Sequence, residues 1–537
     1  MKNIYSAREI AAILEATIGD LHKISELPEP ARNAAMARRA DFVCDVGAAV
    51  AEEVLRQRAD SGAKVVVFAG DTINGAYALE TARALHGRGC FAEVYLINLG
   101  GNLLGADAIA ARERFLNDAG EAFLFETVDF NLLMPTMDPS MIVVDGLFGR
   151  EHAAALKGGY QVMARQINEQ GGHIISIDIP SGMANELSVG MVNRNIIHAD
   201  TTLTLVGPTL SFYMPENAEL IGKWKTLPAP VDREAVRACR CASRLTDAWG
   251  IRGILPAREA TATKADLGTV LIFAGSYGMV GAAVMCTRAA LRSGAGKVVC
   301  HGPRCAFYIM QTAVPPAMFE TDNSDREIRR FESNVNFDAI AVGPGIGHAE
   351  DTVDGLEVFL KAMNAAKRPV VLDADALNCI ALRPSLLDHI PARSVITPHA
   401  GEFDRLFGPQ PSSSARLLKA CEMARKYRIV ILLKSHFTQT VWPDGAIIVN
   451  NSGTDALATA GSGDVLTGLL AGLMAQGMIP ELAAVAAAYV HGVAGELAAA
   501  ENGRRGVTAD DIALEIGNAL EAVLDAVPAK AKKSPNK

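Results

Sequence analysis

The stretch Asn450–Gly477, NNSGTDALATAGSGDVLTGLLAGLMAQG, decides how the rest of the chain is read. Its centre, AGSGD from Ala460 to Asp464, runs into VLTGLLAGLM, a small and apolar sequence that predicts a buried helix beginning at or near Gly463. Glycine permits a sharp turn there. The N–H groups of Gly461, Ser462, Gly463 and the first helical turn would then point at one spot, which the helix dipole makes favourable for phosphate. A carboxylate at Asp464 would repel that phosphate unless it takes a proton from an attacking hydroxyl or helps to hold a metal. The combination points to phosphoryl transfer. A helix start with a capping Ser and a stabilising Asp is written in the same letters.

Outward from this stretch, 537 residues exceed one hydrophobic core and suggest several domains. Half the residues are apolar and few are aromatic, as in Ala-, Gly- and Val-rich α/β enzymes. A net charge of −9 and a pI near 5.7 argue against nucleic-acid or anionic-membrane partners. The nine cysteines form no CxxC pair, and they read as free thiols in a reducing compartment rather than as a zinc site. The N-terminus, MKNIYSAREIAAILEATIGD, has no signal-peptide pattern. Glu481 to Ala500, broken by His491 and Glu496, reads as a core helix rather than a membrane span. A cytoplasmic protein is expected.

Residues up to about Arg58 read as helices. Apolar runs then alternate with helical stretches: Lys64–Phe68, Glu93–Ile97, Met141–Asp145, His173–Asp178 and Thr201–Leu205. Such runs predict a parallel sheet covered on both faces, with ligands at the carboxyl ends of its strands. Three of those ends carry Gly-rich polar turns: AGDTING (Ala69–Gly75), VDGLFG (Val144–Gly149) and IDIPSG (Ile177–Gly182). Asp145 and Asp178 would share one rim, where they can bind a cation, move protons, or cap the following turns.

The Pro-rich LPAPVD (Leu227–Asp232) marks a boundary, giving domains at 1–228 and 229–526, with a charged, disordered tail at 527–537. The second half brings strands at Thr269–Phe273, Lys297–Cys300, Ala339–Val342, Val370–Asp373, Ser394–Thr397 and Ile429–Leu433. AGSYGMVGAA and GPGIG follow two of them. VLDADALN places Asp373 and Asp375 past a strand, where magnesium binding and turn capping both fit. TPHAGEF supplies His399 and Glu402, a metal half-site or, better, a substrate contact. LLKSHFT sends Lys434 toward the same rim.

The order of these motifs resembles the NAD(P)H-hydrate repair proteins over nearly the whole chain. VDGLFG, IDIPSGM and HADTTLTLVGP resemble their N-terminal epimerase domain; TKADLGTVLIFAGSYGMVGAA through AGSGDVLTG resembles their C-terminal ADP-dependent dehydratase. The resemblance implies an α/β protein of two domains, a Rossmann-like three-layer domain followed by a ribokinase-like one. It implies NADHX and NADPHX as substrates, ADP as phosphoryl donor and K+ as an ion; phosphoryl transfer adds Mg2+ as a helper, and two Ala/Gly-rich domains of this kind are expected to assemble as a homo-oligomer.

By position, Ala282, Gly347, His399 and Asp464 look like contacts to the hydrated substrate. Lys434, Ser435, His436, Phe437, Thr438, Gly461 and Gly463 look like the nucleotide site. In the first half, Asn74, Asp145 and Ser181 look like potassium ligands, and Asp178, Asn74 and Gly75 like epimerase substrate contacts. Departures concentrate in that half: Ile73, Ala76 and Tyr77 replace an Asn, a Gly and an Asp of the family loop, Arg150 and Glu151 replace its TG, and Thr209 stands at a usual Lys. A bulky Tyr obstructs nucleotide phosphates or removes a proton-handling group, so R/S epimerisation and a scaffold role both stay open for this half. A small-molecule kinase and a non-catalytic nucleotide-binding regulator are the other readings of the second half.

Overall fold

The computed structural model describes residues 1–527 apart from 59–61, 100–103, 128–133, 153 and 189–194. The expected tail lies, beyond Val527, outside the described residues. Two compact units divide the chain, Ile4–Cys241 and Met1–Asn3 with Ala242–Lys537, whereas the Pro-rich stretch placed the division at 228/229. The first strand, β1 (Lys2–Ile4), is an edge of the second unit's sheet, and the amino terminus lies 3.2 Å from Asp247.

The N-terminal unit holds a seven-stranded sheet of β2 (Val65–Ala69), β3 (Glu93–Ile97), β4 (Leu124–Thr127), β5 (Ile142–Gly146), β6 (His173–Ile177), β7 (Thr201–Thr204) and β8 (Lys223–Thr226). Their order is β4-β3-β2-β5-β6-β7-β8, and every pairing is parallel. The two faces of β2 explain its unbroken apolar run. Val65, Val67 and Ala69 pack into one core with the helices Glu29–Arg58 and Ile73–His86, while Val66 and Phe68 pack into another with Met163 and Ile167 of Gly159–Gln170. The strand order reverses between β2 and β5, so the crevice at their carboxyl ends is where a ligand fits.

The second unit's sheet joins β1 to β9 (Ser243–Leu245), β10 (Thr269–Phe273), β11 (Lys297–Gly302), β12 (Met318–Thr321), β13 (Ala339–Val342), β14 (Val371–Leu372), β15 (Val395–Ile396), β16 (Val430–Leu433), β17 (Gln439–Val441) and β18 (Ile447–Val449). The order is β1-β9-β18-β17-β16-β15-β14-β13-β10-β11-β12; the run from β16 to β12 is parallel, and β17 is antiparallel to both its neighbours. Helices Val280–Arg292, Ser462–Ala475, Pro480–Asn502 and Ala509–Leu524 contribute its largest core cluster. The small residues of VLTGLLAGLM have a packing reason: a side-chain carbon at Gly468 would sit 2.0 Å from the Cys286 carbonyl oxygen, so only glycine lets the two helices approach. Pro480–Asn502 is long and apolar enough to cross a membrane, but two-thirds of its most apolar window is buried inside the protein, as the core-helix reading expects.

Candidate active site

Three strand ends and one helix start build the site of the second unit. Asp373 follows β14, Thr397 and His399 follow β15, and Lys434 follows β16, with an isolated parallel bridge aligning His399 and Lys434. Opposite them begins the helix Ser462–Ala475, within a residue of its expected start. Gly461 precedes it in the left-handed region, φ 88°, where a side-chain carbon would meet the Met285 sulfur at 2.4 Å. No side chain among the described residues caps this terminus. The Ser462 N–H, expected in the anion-binding cluster, is instead spent on the Thr459 carbonyl at 3.3 Å, so the opening amides of Gly463 and Asp464 are the ones placed for a ligand.

A buried charge cluster lies beside that terminus. Lys434 Nζ is 2.8 Å from Asp373 Oδ1 and 3.8 Å from Glu402 Oε2, and Thr467 Oγ1 donates to Asp373 Oδ2 at 2.7 Å. Burial works against the Lys434 charge, but Asp373 and Glu402 outweigh it and hold its pKa above the usual value. Asp464 fares differently. Burial, reinforced by the neighbouring Asp373 and only partly offset by Lys434, raises its pKa to about 7. A carboxylate poised there can accept a proton near neutrality.

These groups line a cavity of about 530 Å³ with Ala374, His399, Ser435, Thr438, Gly461, Ser462, Gly463 and His491. His399 turns out to be a helix cap as well. Its Nδ1 accepts the N–H groups of Gly401 (3.0 Å) and Glu402 (3.3 Å), and Glu402 accepts the His399 N–H at 2.9 Å, so a capping box fixes this pair. Of the other sequence-derived residues, Ala282, Gly347, His436 and Phe437 are outside the cavity lining. Gly347 donates to Asp375 Oδ2 at 2.9 Å, so Asp375 braces a turn, the capping alternative, while Asp373 joins the charge cluster. The loop from Lys434 to Thr438 is folded on itself, Ser435 Oγ donating to the Phe437 carbonyl at 2.7 Å and Thr438 Oγ1 to the Ser435 carbonyl at 3.1 Å. Sequence reading missed His491 as a wall of the site; burial lowers its pKa to about 4, keeping it neutral, with Nε2 3.2 Å from Ser462 Oγ. Its one signal was an imidazole in an Ala-rich helix.

In the N-terminal unit the two strand-end aspartates have separate occupations, not a shared one. Asp145 is fully buried and accepts Ser181 Oγ (2.6 Å), Ser176 Oγ (2.7 Å) and the Ser181 N–H (2.9 Å); burial nonetheless raises its pKa. Asn74, beside Gly75 in the first turn of Ile73–His86, leaves its buried Oδ1 without a hydrogen-bond partner. Asp178, held at φ 67°, pairs with Arg150, Nε to Oδ1 3.1 Å, and also accepts the Arg150 N–H at 3.2 Å. Glu151 accepts Thr72 Oγ1 at 2.6 Å and the Gly149 N–H at 3.0 Å. A cavity of about 670 Å³ is lined by Tyr77, Arg150, Glu151 and Asp178, with Arg39 and apolar residues of the first helix. Of the departures from the family pattern, Ile73, Tyr77, Arg150 and Glu151 sit on the cavity wall, whereas Ala76 and Thr209 do not, and Arg150 pairs with the carboxylate expected to meet substrate.

Residues 270–518 match a family model described as NAD(P)H-hydrate dehydratase, and residues 39–211 match one described as YjeF-related protein N-terminus. The chain is 33% identical over 467 residues to the bifunctional NAD(P)H-hydrate repair enzyme Nnr of Moorella thermoacetica, covering 84% of this chain and 86% of that one. It is 32% identical over 470 residues to the Nnr enzyme of Salinibacter ruber, covering 83% and 85%. The crystal structure of the ADP/ATP-dependent NAD(P)H-hydrate dehydratase from Bacillus subtilis, co-crystallised with ATP/Mg2+, matches 52% of this chain and 98% of its own, with 29% identity and a TM-score of 0.46.

Proposed function

This chain belongs to the family of bifunctional NAD(P)H-hydrate repair enzymes, and we propose that its C-terminal domain performs the ADP-dependent dehydration of the S epimer of hydrated NAD(P)H, releasing NAD(P)H, AMP and phosphate. The observation that carries this reading is Asp464, a carboxylate with a pKa of about 7 in the first turn of an uncapped helix, on a cavity large enough for a nucleotide phosphate. Hydroxide is a poor leaving group. Asp464 accepts the proton of the ring hydroxyl, whose oxygen attacks the terminal phosphoryl of ADP as the bond to AMP breaks. The amides at Gly463 and Asp464 meet the charge on the transferring group. The ring nitrogen then expels phosphate, and loss of a ring proton restores the reduced nicotinamide.

Lys434, Ser435 and Thr438 form the side of the site assigned to the AMP moiety, and His399 the side assigned to the hydrated ring. Asp373, Glu402 and Asp464 share Lys434 as counter-charge, an oxygen-rich set that suits Mg2+. Bound there, Mg2+ would supply Lewis-acid neutralisation of phosphate charge.

The N-terminal domain is assigned the interconversion of R and S epimers, which delivers all of the hydrate to the dehydratase. Asn74, Asp145 and Ser181 offer only oxygens, and the unpartnered Asn74 Oδ1 fits a hard cation such as K+. The Arg150–Asp178 pair favours a second reading, in which this domain is a scaffold. We place the protein in the cytoplasm, consistent with nine cysteines none of which is in a disulfide, and as a homo-oligomer, to be checked by light scattering.

The test mixes both epimers with purified protein and ADP or ATP and follows the return of reduced-nicotinamide absorbance. Recovery with ADP, together with AMP release, is expected. A stable phosphorylated product, or nucleotide binding without AMP release, overturns the reading. Loss of the pure R epimer without nucleotide separates the epimerase from the scaffold.

A further inference from the structure

We propose that Glu9, Cys239 and Cys241 form a binding site for a thiophilic divalent cation, Zn2+ by its ligand chemistry, which clamps the segment at the end of the N-terminal unit to that unit's first helix. Cys239 Sγ and Cys241 Sγ are 3.5 Å apart, and the ligand atoms of all three residues lie within 4.8 Å of one another. Two thiolates on one tetrahedral zinc, each about 2.3 Å from it, stand roughly 3.8 Å apart. The thiols need to part by only a few tenths of an ångström, whereas a disulfide would have to draw them in to about 2.05 Å.

The third ligand is oriented by something other than the metal. Glu9 is in the first turn of the helix Ala7–Ile18, and its Oε2 accepts both the N–H (2.7 Å) and the Oγ (2.9 Å) of Ser6 in a capping box. The approach of the cysteines is fixed independently at the other end of that helix. The Asp232 N–H donates to Thr17 Oγ1 at 2.9 Å, after which the helix Arg233–Ala238 leads back to Cys239. Residues 232–241 therefore run along the first helix from its last turn to its first. Cys241 is buried, while Cys239 and Glu9 are half-buried, so the pair is enclosed yet reachable by an ion from solvent.

Two thiolates and one carboxylate make a soft and anionic donor set that selects zinc over magnesium or calcium. Three protein ligands leave one position to water, so the ion exchanges and is removed by chelators.

The experiment uses the full chain, reduced and stripped with chelator, then titrated with Co2+. One Co2+ per chain with a thiolate-to-cobalt charge-transfer band is expected, displaced by Zn2+. Zn2+ is also expected to protect Cys239 from alkylation. Cys239→Ser should abolish the band and Glu9→Gln weaken binding about tenfold or more, while Cys44→Ser leaves both unchanged. Absence of the band at stoichiometric Co2+, its persistence in Cys239→Ser, or unprotected alkylation of Cys239 in the wild-type chain would overturn the site, and the alkylation readout needs no variant to fold.

Discussion

Lys434 Nζ lies 2.8 Å from Asp373 Oδ1, and Thr467 Oγ1 holds the other oxygen of that carboxylate at 2.7 Å. Lys434 is thus already paired, and burial of Asp464, reinforced by Asp373 and only partly offset by Lys434, raises the Asp464 pKa to about 7.

Replacing Asp464 with Asn removes the proton acceptor and keeps the helix start. Turnover should fall by about 10²–10⁴ or more, with ADP affinity within a few-fold of wild type. Absorbance recovery and calorimetric ADP binding read the two effects separately, and wild-type turnover from this variant would remove Asp464 from the mechanism.

Only the ionised form of Asp464 accepts a proton, so the turnover rate should rise with pH and level off above about 7. Lys434 opposes the upward shift, so Lys434→Met should move that limb to higher pH. The sign reverses for stability. The folded pKa lies above the unfolded one, so the native state binds more protons between the two and loses stability as pH rises through that window. Asp464→Asn should therefore unfold at higher denaturant than wild type at pH 8, and the gain should vanish near pH 4.

Arg150 pairs with Asp178 and Glu151 ties down Thr72, both at positions where the family carries TG. Restoring Arg150→Thr with Glu151→Gly should free Asp178 and raise the rate of R/S interconversion by at least about tenfold. Chromatographic separation of the epimers measures it, with circular dichroism as the control on folding. An unchanged rate would mean that Arg150 does not restrain this site.

Gly461→Ala puts a side chain at φ 88° and within 2.4 Å of the Met285 sulfur. A loss of about 1–2 kcal/mol from the backbone alone is expected, with weaker ADP binding because the helix start must shift. Denaturant melts and ADP titration check both.

Much of the scaffold was legible. The runs at Thr269–Phe273, Ala339–Val342 and Glu93–Ile97 became strands with those bounds, and AGSGD became a helix start to within a residue, because apolar runs and glycines act on the backbone locally. The strands Leu124–Thr127, Met318–Thr321 and Lys223–Thr226 escaped notice, since their partly exposed, mixed sequences carry no continuous apolar signal. Asp373 and Asp375 look alike in VLDADALN, yet one binds Lys434 and the other Gly347.

By itself, then, the sequence determined two α/β units, the strand ends that bear polar turns, and the helix terminus at Asp464, all of which depend on residues near one another in the chain. The pKa of Asp464, the seat of Arg150 on Asp178 and the meeting of Glu9 with Cys239 and Cys241 were decided by tertiary structure. Burial and short-range Coulomb interactions act between side chains far apart in sequence, and they acquire a value only when the fold sets the distance between them.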